Sequence, residues 1–279
     1  DELVLEERGP VRATVLIRGP LRSPDSSSFM RYLCRLHVFA GSPVIQADIT
    51  VENDVIEPEM NHLKSASLHL KPREREQTAR FSVGSGRSLL QDYDNRCLID
   101  GAPANTRARG LCTLPNQGLA VAVRDFWQQY PKGFRLGPDA LLVDLLPPLP
   151  ANQYQNDDDQ QLLDRLYFWC DRGQYKLRTG VRVTTTVALH VGTPANDDAF
   201  ADRVQNPLYA VCEPDHYCAS GAFGPLAPRR PRHFQEYERN VDKAFADFLQ
   251  RRETVREYGF MNYGDWYGER KWNWGNIEY

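Results

Sequence analysis

The chain lacks the features that mark membrane-spanning and nucleic-acid-binding proteins. No run of about 18 apolar residues occurs, so no segment is expected to span a membrane. The 34 basic and 37 acidic residues nearly cancel, leaving a formal net charge of −3. That balance gives no field that would attract nucleic acid or an anionic membrane surface. Neither is predicted as a partner, and any acidic ligand has to be met by a local group of arginines.

Metal-binding and nucleotide-binding motifs are also missing. The six cysteines contain no CxxC pair and the six histidines no HxH or HExxH spacing, so no metal site and no cofactor is predicted. Gly84-Ser85-Gly86 lacks the third glycine of a dinucleotide fingerprint. The acidic cluster at residues 156–159 is interpreted as a solvated turn or a helix start. Calcium is the less favoured alternative there, because the spaced oxygen ligands of a calcium loop are absent.

The cysteines bear on the cellular compartment of the protein, and the first residues bear on whether the sequence is a fragment. Cys34 lies in an apolar strand pattern and is predicted to be a small core residue. Cys212 and Cys218 lie six apart around a proline-containing turn, which favours a local disulfide in an oxidising compartment. Residues 1–8 lack the basic start and apolar stretch of a signal peptide. Either export information was removed or the sequence is an internal fragment, and an immediate strand-like segment favours the fragment.

Period-two alternation dominates the first two hundred residues. In Val44–Glu52 the apolar residues fall on one face and the polar residues on the other, which predicts a half-buried strand, and Val181–Val191 repeats the pattern. Arg31–Ala40 alternates too, and Gly41-Ser42-Pro43 is predicted to join it to Val44–Glu52 as a hairpin turn. Shorter strands are predicted at Val11–Arg18, Ala66–Lys71, Gly118–Phe126 and Leu141–Leu146. Turns rich in Gly, Pro and Asn separate these runs, with no helices between them. The predicted fold class is therefore mainly β, an antiparallel β-sandwich.

The pattern changes after the proline-rich segment Pro225–Pro231. Apolar residues then recur at three-to-four spacing, which predicts one amphipathic helix from about Phe234 to about Glu257, ended by Gly259. The predicted organisation is a β-sandwich domain over residues 1–228, a linker and helix over 229–257, and an aromatic junction over 258–279.

The junction concentrates aromatic rings and hydrogen-bonding side chains. Residues 258–279 hold three tryptophans, four tyrosines, three asparagines and four glycines. Such a set suits a sugar, whose C–H face packs on aromatic rings while its hydroxyls need fixed polar partners. An aromatic packing loop between two domains is the alternative, and composition alone does not separate the two.

Three parts of the chain carry recognisable motifs: Gly259–Arg270 continued by Trp274–Tyr279, the stretch Asp125–Gly133, and the strand from Gly9 to Arg12 that leads to Phe39–Pro43. These parts resemble the exo-rhamnogalacturonan lyase (YetA-like) family of polysaccharide lyases. The resemblance implies a barrel-like β domain, then a β-sandwich of the galactose-mutarotase/lyase type, then an α/α toroid. This chain is similar to the sandwich and the beginning of the toroid only.

The sequence also departs from the family pattern. On the strand after residues 174–180 the family leads us to expect a Lys-Thr-His-like triplet, but this chain has Arg182-Val183-Thr184. If that triplet serves activity, this chain is expected to act on a different substrate or with reduced activity. The body of the toroid, which should supply much of the cleft wall, is missing.

The resemblance implies β-elimination at a uronic acid in rhamnogalacturonan or a related rhamnose/uronic-acid polymer. Removing the C5 proton builds charge beside the carboxylate, so catalysis needs a cation on that carboxylate, a base for C5 and an acid for the leaving oxygen. Arg270 and Asn276 are candidates for neutralising the carboxylate, and His216, Tyr217 and Tyr267 for the base or acid. Trp266, Trp272 and Trp274 would form the sugar platform, and the other predicted substrate-binding residues are Tyr263, Asp265, Glu269, Asn273, Glu278 and Tyr279.

Each role has a structural alternative. Arg270 can simply pair with Glu269 or Asp265, and His216-Tyr217 beside Cys218 can be packing. Trp127 and Tyr130 are interpreted as sandwich core rather than as a sugar subsite. A non-catalytic sugar-binding module is the main alternative function, and a glycoside hydrolase using two of Asp265, Glu269 and Glu278 is a further one.

The predicted partner is an acidic polysaccharide. A secreted or extracellular location follows from that substrate and from the cysteine count. The complete parent is the expected enzyme, and this fragment alone can be inactive.

Overall fold

The computed structural model describes residues 1–22, 28–74, 76–154, 170–192, 194–230, 232–254 and 256–261. Within these ranges the strands are β1 (Glu2–Arg8), β2 (Arg12–Arg22), β3 (Ser28–Phe39), β4 (Val44–Glu52), β5 (Met60–Leu63), β6 (Ala66–Leu70), β7 (Ala79–Phe81), β8 (Gly84–Gly86), β9 (Ser88–Tyr93), β10 (Arg96–Ile99), β11 (Ala102–Ala104), β12 (Leu111–Leu114), β13 (Leu119–Val123), β14 (Lys132–Leu136), β15 (Leu141–Leu146), β16 (Cys170–Asp171), β17 (Gln174–Arg178) and β18 (Arg182–Val191). The described helices are α1 (Asp197–Gln205), α2 (Pro214–Ser220) and α3 (Gln235–Thr254).

The described chain divides into two units. One comprises Asp1–Gln205 together with the described residues from Tyr258 onward, and the other comprises Asn206–Glu257. The domain ranges expected from the sequence stay a prediction. No described helix is long and apolar enough to cross a membrane.

The first unit is built on a nine-stranded sheet in the order β1-β2-β3-β4-β18-β13-β12-β7-β8. Its central strands β4 and β18 pair antiparallel over their full lengths, with Ile49 opposite Thr185. A six-stranded sheet, β11-β10-β9-β14-β15-β6, is antiparallel throughout as well. The mainly β, antiparallel fold class predicted from alternation is confirmed.

A shared apolar core joins the two large sheets. Ala47 and Ile49 from β4 belong to the same buried cluster as Phe134 from β14 and Val143 from β15. These β4 residues lie on the face that the alternation predicted to be buried. Cys34 packs against the edge of this cluster, as its apolar strand pattern predicts. Two sheets that bury their facing side chains in this way form a β-sandwich.

A second cluster, which we call the end core, fills the sandwich end where β4 finishes and β18 starts. The three-stranded sheet β16-β17-β5 contributes to it. Its buried members are Met30, Val51, Tyr93, Tyr130, Leu146, Tyr154, Tyr175, Leu177, Val183, Tyr258 and Phe260. Residues far apart in the sequence, including the first residues of the aromatic junction, therefore share one core.

Helix α1 covers part of the outer face of the nine-stranded sheet. Its buried residues Phe200, Ala201 and Val204 pack against small side chains of β13 and β18, such as Ala122 and Ala188. This helix is absent from the element order predicted by the sequence, because nine residues give too few turns for a clear helical period.

At Gly110 the backbone conformation disfavours a side chain, and the surrounding atoms leave no room for one. It has a φ of +66°, and a Cβ there would lie 2.5 Å from both Val123 O and Phe126 Cβ. Gly41 has a similar φ of +71°, but a Cβ added there would meet nothing within 4 Å. We expect Gly110→Ala to lower the free energy of unfolding by about 2 kcal/mol more than Gly41→Ala, since only the first adds overpacking to backbone strain. Denaturant melts of both variants measure this, and equal losses would contradict it.

The second unit, Asn206–Glu257, contains α2 and α3. The predicted long helix is confirmed as α3, although its described end is Thr254 rather than Glu257. No residue of α2 or α3 is buried. Cys212 and Cys218 are both free, so the predicted disulfide between them is not formed. Cys218 lies within α2, whereas Cys212 precedes that helix and donates its backbone N–H to the Tyr217 hydroxyl at 3.1 Å.

Candidate functional site

The structure describes two of the residues predicted to act on substrate, His216 and Tyr217. The remaining predicted site residues lie outside the described residues, as does the acidic cluster at 156–159. They are Tyr263, Asp265, Trp266, Tyr267, Glu269, Arg270, Trp272, Asn273, Trp274, Asn276, Glu278 and Tyr279. Their roles stay predictions, and so does the toroid.

His216 and Tyr217 lie side by side on α2, with ring centroids 6.5 Å apart. Tyr217 also packs beside Phe223 at 5.9 Å and lines an open, mostly apolar groove of about 770 Å³ within the second unit. Arg229, at the same groove, is paired with Glu238 and Asp242 of α3. These contacts suit the packing alternative for this pair, and a base or acid role for it remains a prediction.

The start of the aromatic junction is fixed to the sandwich by backbone hydrogen bonds. Gly259 N–H donates to Gln128 O at 2.7 Å, and Phe260 N–H donates to Tyr130 O at 3.0 Å. The Phe260 ring meets the Tyr175 ring edge-on at 5.5 Å. The described first residues of the motif, Gly259 and Phe260, therefore lie beside the segment Asp125–Gly133, which also resembles the family.

Next to this contact, an arginine joins three separate segments. The Arg107 guanidinium lies 4.0 Å above the Trp127 ring and 5.6 Å from the Tyr258 ring, and Trp127 meets Tyr258 edge-on at 4.8 Å. Arg107 Nη2 also lies 3.6 Å from the buried carboxylate of Asp94. Trp127 is thus half-buried against an arginine, while Tyr130 is wholly buried core as predicted.

A second arginine is held by the β9–β10 hairpin. Asp92 is fully buried and accepts hydrogen bonds from both Arg96, whose Nε lies 3.2 Å away, and Gln153, whose Nε2 lies 2.8 Å away. Burial raises the pKa of Asp92, and the hydrogen bond from Arg96 opposes that rise. The Arg96 guanidinium also lies 4.3 Å above the Tyr93 ring. Together Asp92, Asp94, Arg96, Arg107 and Trp127 form what we call the end cluster.

The end cluster presents fixed cations beside aromatic rings. The Arg96 and Arg107 side chains are 38% and 37% exposed, while their carboxylate partners are almost fully buried. A planar guanidinium fixed from behind can bind a ligand carboxylate with little loss of conformational entropy. Among the described residues, no group of three or more His, Cys, Asp and Glu side chains could hold a metal ion. The arrangement therefore suits an acidic, ring-containing ligand.

Sequence reasoning missed the end cluster because Arg107 and Trp127 come from positions away from the hairpin that holds Asp92, Asp94 and Arg96. One signal was available: the turn Tyr93-Asp94-Asn95-Arg96 mixes an aromatic ring with both charge signs. Nothing in the sequence indicates that this turn lies near Trp127 and Tyr258.

The residues of the expected Lys-Thr-His-like triplet lie at the start of β18. Arg182 pairs with Glu52 at 2.6 Å, and the Thr184 and Thr50 hydroxyls are 2.8 Å apart, whereas Val183 turns into the end core. The two polar side chains are thus bonded to β4. The expectation that this departure changes the substrate or reduces activity stays a prediction.

By its architecture the first unit is a mainly β protein with two packed antiparallel sheets. Two solved structures similar to it are provisionally assigned as aldose 1-epimerases. The one from Klebsiella pneumoniae has a TM-score of 0.36 and 8% identity, covering 74% of this chain and 58% of that chain. The one from Escherichia coli has a TM-score of 0.30 and 9% identity, covering 70% and 69%. At these TM-scores neither likeness supports an argument about function.

No family model matches the chain. In sequence it is similar to the uncharacterized protein YetA of Bacillus subtilis, with 29% identity over 183 residues. The match covers 57% of this chain and 20% of YetA, so the chain spans about a fifth of that relative's length. This similarity supports the YetA-like part of the resemblance.

Proposed function

We propose that this chain is the sandwich part of a polysaccharide lyase that cleaves rhamnogalacturonan, or a related rhamnose/uronic-acid polymer, by β-elimination. One observation carries the proposal. The two segments most similar to that lyase family are far apart in the chain, yet they are joined by the Gly259–Gln128 and Phe260–Tyr130 hydrogen bonds. A family motif that begins on the sandwich end, beside aromatic rings and two arginines, suits the wall of a substrate cleft.

The chemistry of elimination explains why arginines at this position support the proposal. Loss of the C5 proton of a uronate puts a second negative charge next to the carboxylate. A guanidinium whose position is already fixed stabilises that charge without further reorganisation. Arg270 and Asn276 of the motif remain the proposed groups on the reacting carboxylate, and Arg96 and Arg107 would bind a neighbouring uronate of the polymer.

The product distinguishes a lyase from its competitors. Incubating the chain, and any longer natural protein that contains it, with rhamnogalacturonan backbone is expected to give rising ultraviolet absorbance from an unsaturated uronate. Reducing ends without that absorbance would mean a hydrolase. If the longer protein gives neither the absorbance nor new reducing ends, catalysis is refuted.

A matched pair of variants tests the proposed carboxylate group. Arg270→Ala is expected to lower kcat/KM by two orders of magnitude or more, because it removes charge stabilisation that grows in the transition state. Lys271→Ala removes the same charge one position further along and should keep most of the activity. Similar rates for the two variants would remove Arg270 from the mechanism.

A non-catalytic sugar-binding module is the second candidate, and one observation favours it. Each arginine of the end cluster lies against a buried carboxylate, Arg96 against Asp92 and Arg107 against Asp94. This holds each guanidinium in a fixed position, which suits ligand binding more than proton transfer. Retention on immobilised polymer without any product would select this candidate.

A further inference from the structure

A row of hydrogen-bonded side chains crosses five adjacent strands on the outer face of the nine-stranded sheet. We call it the His37 chain, and each member comes from a different strand, β1 to β4 and β18. Its members are Glu7, Thr14, His37, Asp48 and Thr186. Thr14 is buried and the His37 side chain is only 13% exposed, so water competes little for the bonds at the centre of the row.

Both ring nitrogens of His37 have an oxygen partner. On one side, Nε2 lies 3.1 Å from Asp48 Oδ2, and the other oxygen of that carboxylate accepts from the Thr186 hydroxyl at 2.7 Å. On the other side, Nδ1 lies 3.0 Å from Thr14 Oγ1, which in turn lies 3.2 Å from Glu7 Oε2. The imidazole therefore stands between two carboxylates, one reached directly and one through a hydroxyl.

Proton counting along the His37 chain requires a charged imidazole. A carboxylate only accepts hydrogen bonds, so Nε2 has to donate to Asp48 and the Thr14 hydroxyl has to donate to Glu7. Because that hydroxyl has a single proton, it can only accept from Nδ1. All the contacts are satisfied together only when both ring nitrogens carry a proton.

A neutral imidazole leaves the chain one bond short. It keeps its proton on Nε2, since a bare Nε2 would turn a lone pair toward the Asp48 carboxylate. Nδ1 then needs a donor, and the Thr14 proton turns to it, because an unsatisfied nitrogen in this enclosed position is costly. Glu7 tolerates the loss, as its side chain is 43% exposed and keeps its ion pair with Arg12.

We propose that His37 is a proton switch that sets how firmly β1 is held on the sheet. Protonation of the ring frees the Thr14 hydroxyl to bind Glu7, and this bond joins β2 to β1 at the pair Glu7–Thr14. Deprotonation turns the same hydroxyl back toward β3 and weakens the attachment of β1. Histidine is the side-chain type that ordinarily changes charge between pH 5 and pH 8.

The charged groups around the ring keep their own states over this range. Among the described residues, those that face the His37 chain are Glu6, Glu7, Arg12, Arg35 and Asp48. Hydrogen bonds from Arg12 and Arg35 lower the pKa of Glu7 and of Glu6, respectively. Glu7 is therefore an acceptor throughout, and the direction of the Thr14 hydroxyl depends on the imidazole.

Hydrogen exchange of the full chain measures how firmly β1 is held. After correction for the intrinsic rate at each pH, the β1 amides that pair with β2 should exchange roughly three to ten times more slowly at pH 5 than at pH 8, the equivalent of one hydrogen bond. Strand β15 of the other sheet is the internal reference, because a change in global stability affects both strands. His37→Gln should abolish this pH dependence, whereas His69→Gln, at an exposed position of β6, should keep it. Equal pH dependence in the two variants would overturn the proposal.

A matched pair of variants at Thr14 tests the hydroxyl itself. Thr14→Val has nearly the same shape without the hydroxyl and should lose the pH dependence of β1, while Thr14→Ser keeps the hydroxyl and should retain it. Unchanged protection of β15 confirms that each variant is folded. A Thr14→Val protein with the parent's pH dependence would show that Thr14 does not link His37 to β1, and the proposal would fail.

Nitrogen-15 chemical shifts of the His37 ring report its protons directly. The signals are assigned by their absence from the spectrum of His37→Gln. Both ring nitrogens should be protonated at pH 5, and Nε2 alone at pH 8. A neutral ring at pH 5, or a neutral ring with its proton on Nδ1 at pH 8, would overturn the proposal.

Discussion

The free energy of unfolding of the parent protein is expected to rise by about 4 kcal/mol between pH 7 and pH 10, and replacing Lys132 by Met should remove this rise. Lys132 lies at the start of β14 and is fully buried between the two sheets. Its Nζ donates to Leu145 O at 2.7 Å and lies 3.3 Å from Thr185 Oγ1. Burial lowers the pKa of Lys132 to about 7, because the ammonium form loses its hydration.

The direction of the effect follows from proton counting. In the unfolded chain a lysine has a pKa of about 10.4. Between pH 10 and pH 7 the unfolded state therefore binds a proton that the folded state does not, so stability falls as pH falls. Below pH 7 the folded state is protonated too, and the loss becomes constant. Above the unfolded pKa both states are neutral and the group has no pH-dependent effect.

Denaturant melts at several pH values measure this, with Lys64→Met as the matched control. Lys64 is exposed, so its replacement should leave the pH profile unchanged. Burial raises the pKa of Tyr154 and Tyr175, which lowers stability at high pH, but this occurs equally in both proteins and cancels in the difference. If the profile of Lys132→Met ran parallel to that of the parent, Lys132 would not be buried as the neutral amine.

The strands with a long alternating pattern could be predicted from the sequence. Val44–Glu52 and Leu141–Leu146 are confirmed as β4 and β15 with the predicted bounds. Strands of three or four residues, such as β7 and β11, show too few alternations to be recognised, and only pairing with neighbours makes them strands. Helix α1 is similar: the sheet face of small residues beneath it decides its position, and that face exists only after folding.

The helical period of α3 predicted its existence but not its environment. Apolar residues at three-to-four spacing specify which face is apolar, whereas burial depends on a partner for that face. In the described chain that face remains exposed. Periodicity alone therefore cannot distinguish a core helix from a docking helix.

Two buried titratable groups, Asp92 of the end cluster and Lys132 outside it, could not be recognised from the sequence. Arg96 is only four residues from Asp92, but Gln153 and the partners of Lys132 on β15 and β18 come from distant parts of the chain. A buried charged group is tolerated only where distant chain segments supply hydrogen bonds. For that reason the end cluster and Lys132 become visible only in three dimensions.

If the end cluster binds uronates, the double variant Asp92→Asn/Arg96→Gln should lower affinity for the acidic polymer roughly ten- to hundredfold, which is about 1.5–3 kcal/mol. The exposed face of Arg96 would be lost, while an amide pair of similar shape keeps the buried hydrogen bond. The single variant Arg96→Ala would be a poorer test, because it leaves the buried Asp92 carboxylate without its cation and destabilises the fold by about 3 kcal/mol or more.

The double variant Glu2→Gln/Arg18→Gln provides the control, since it removes another ion pair with a half-exposed arginine, between strands β1 and β2 at the edge of the nine-stranded sheet. Affinity electrophoresis in gels that contain the polymer compares both with the parent, using native polymer and polymer whose carboxyl groups have been reduced to alcohols. The parent should prefer the native form, and the end-cluster variant should show a clearly smaller preference, because the ligand carboxylate has lost one of the cations that would bind it. A variant that kept the parent's preference would show that Arg96 is there to hold Asp92 and not to bind a sugar acid.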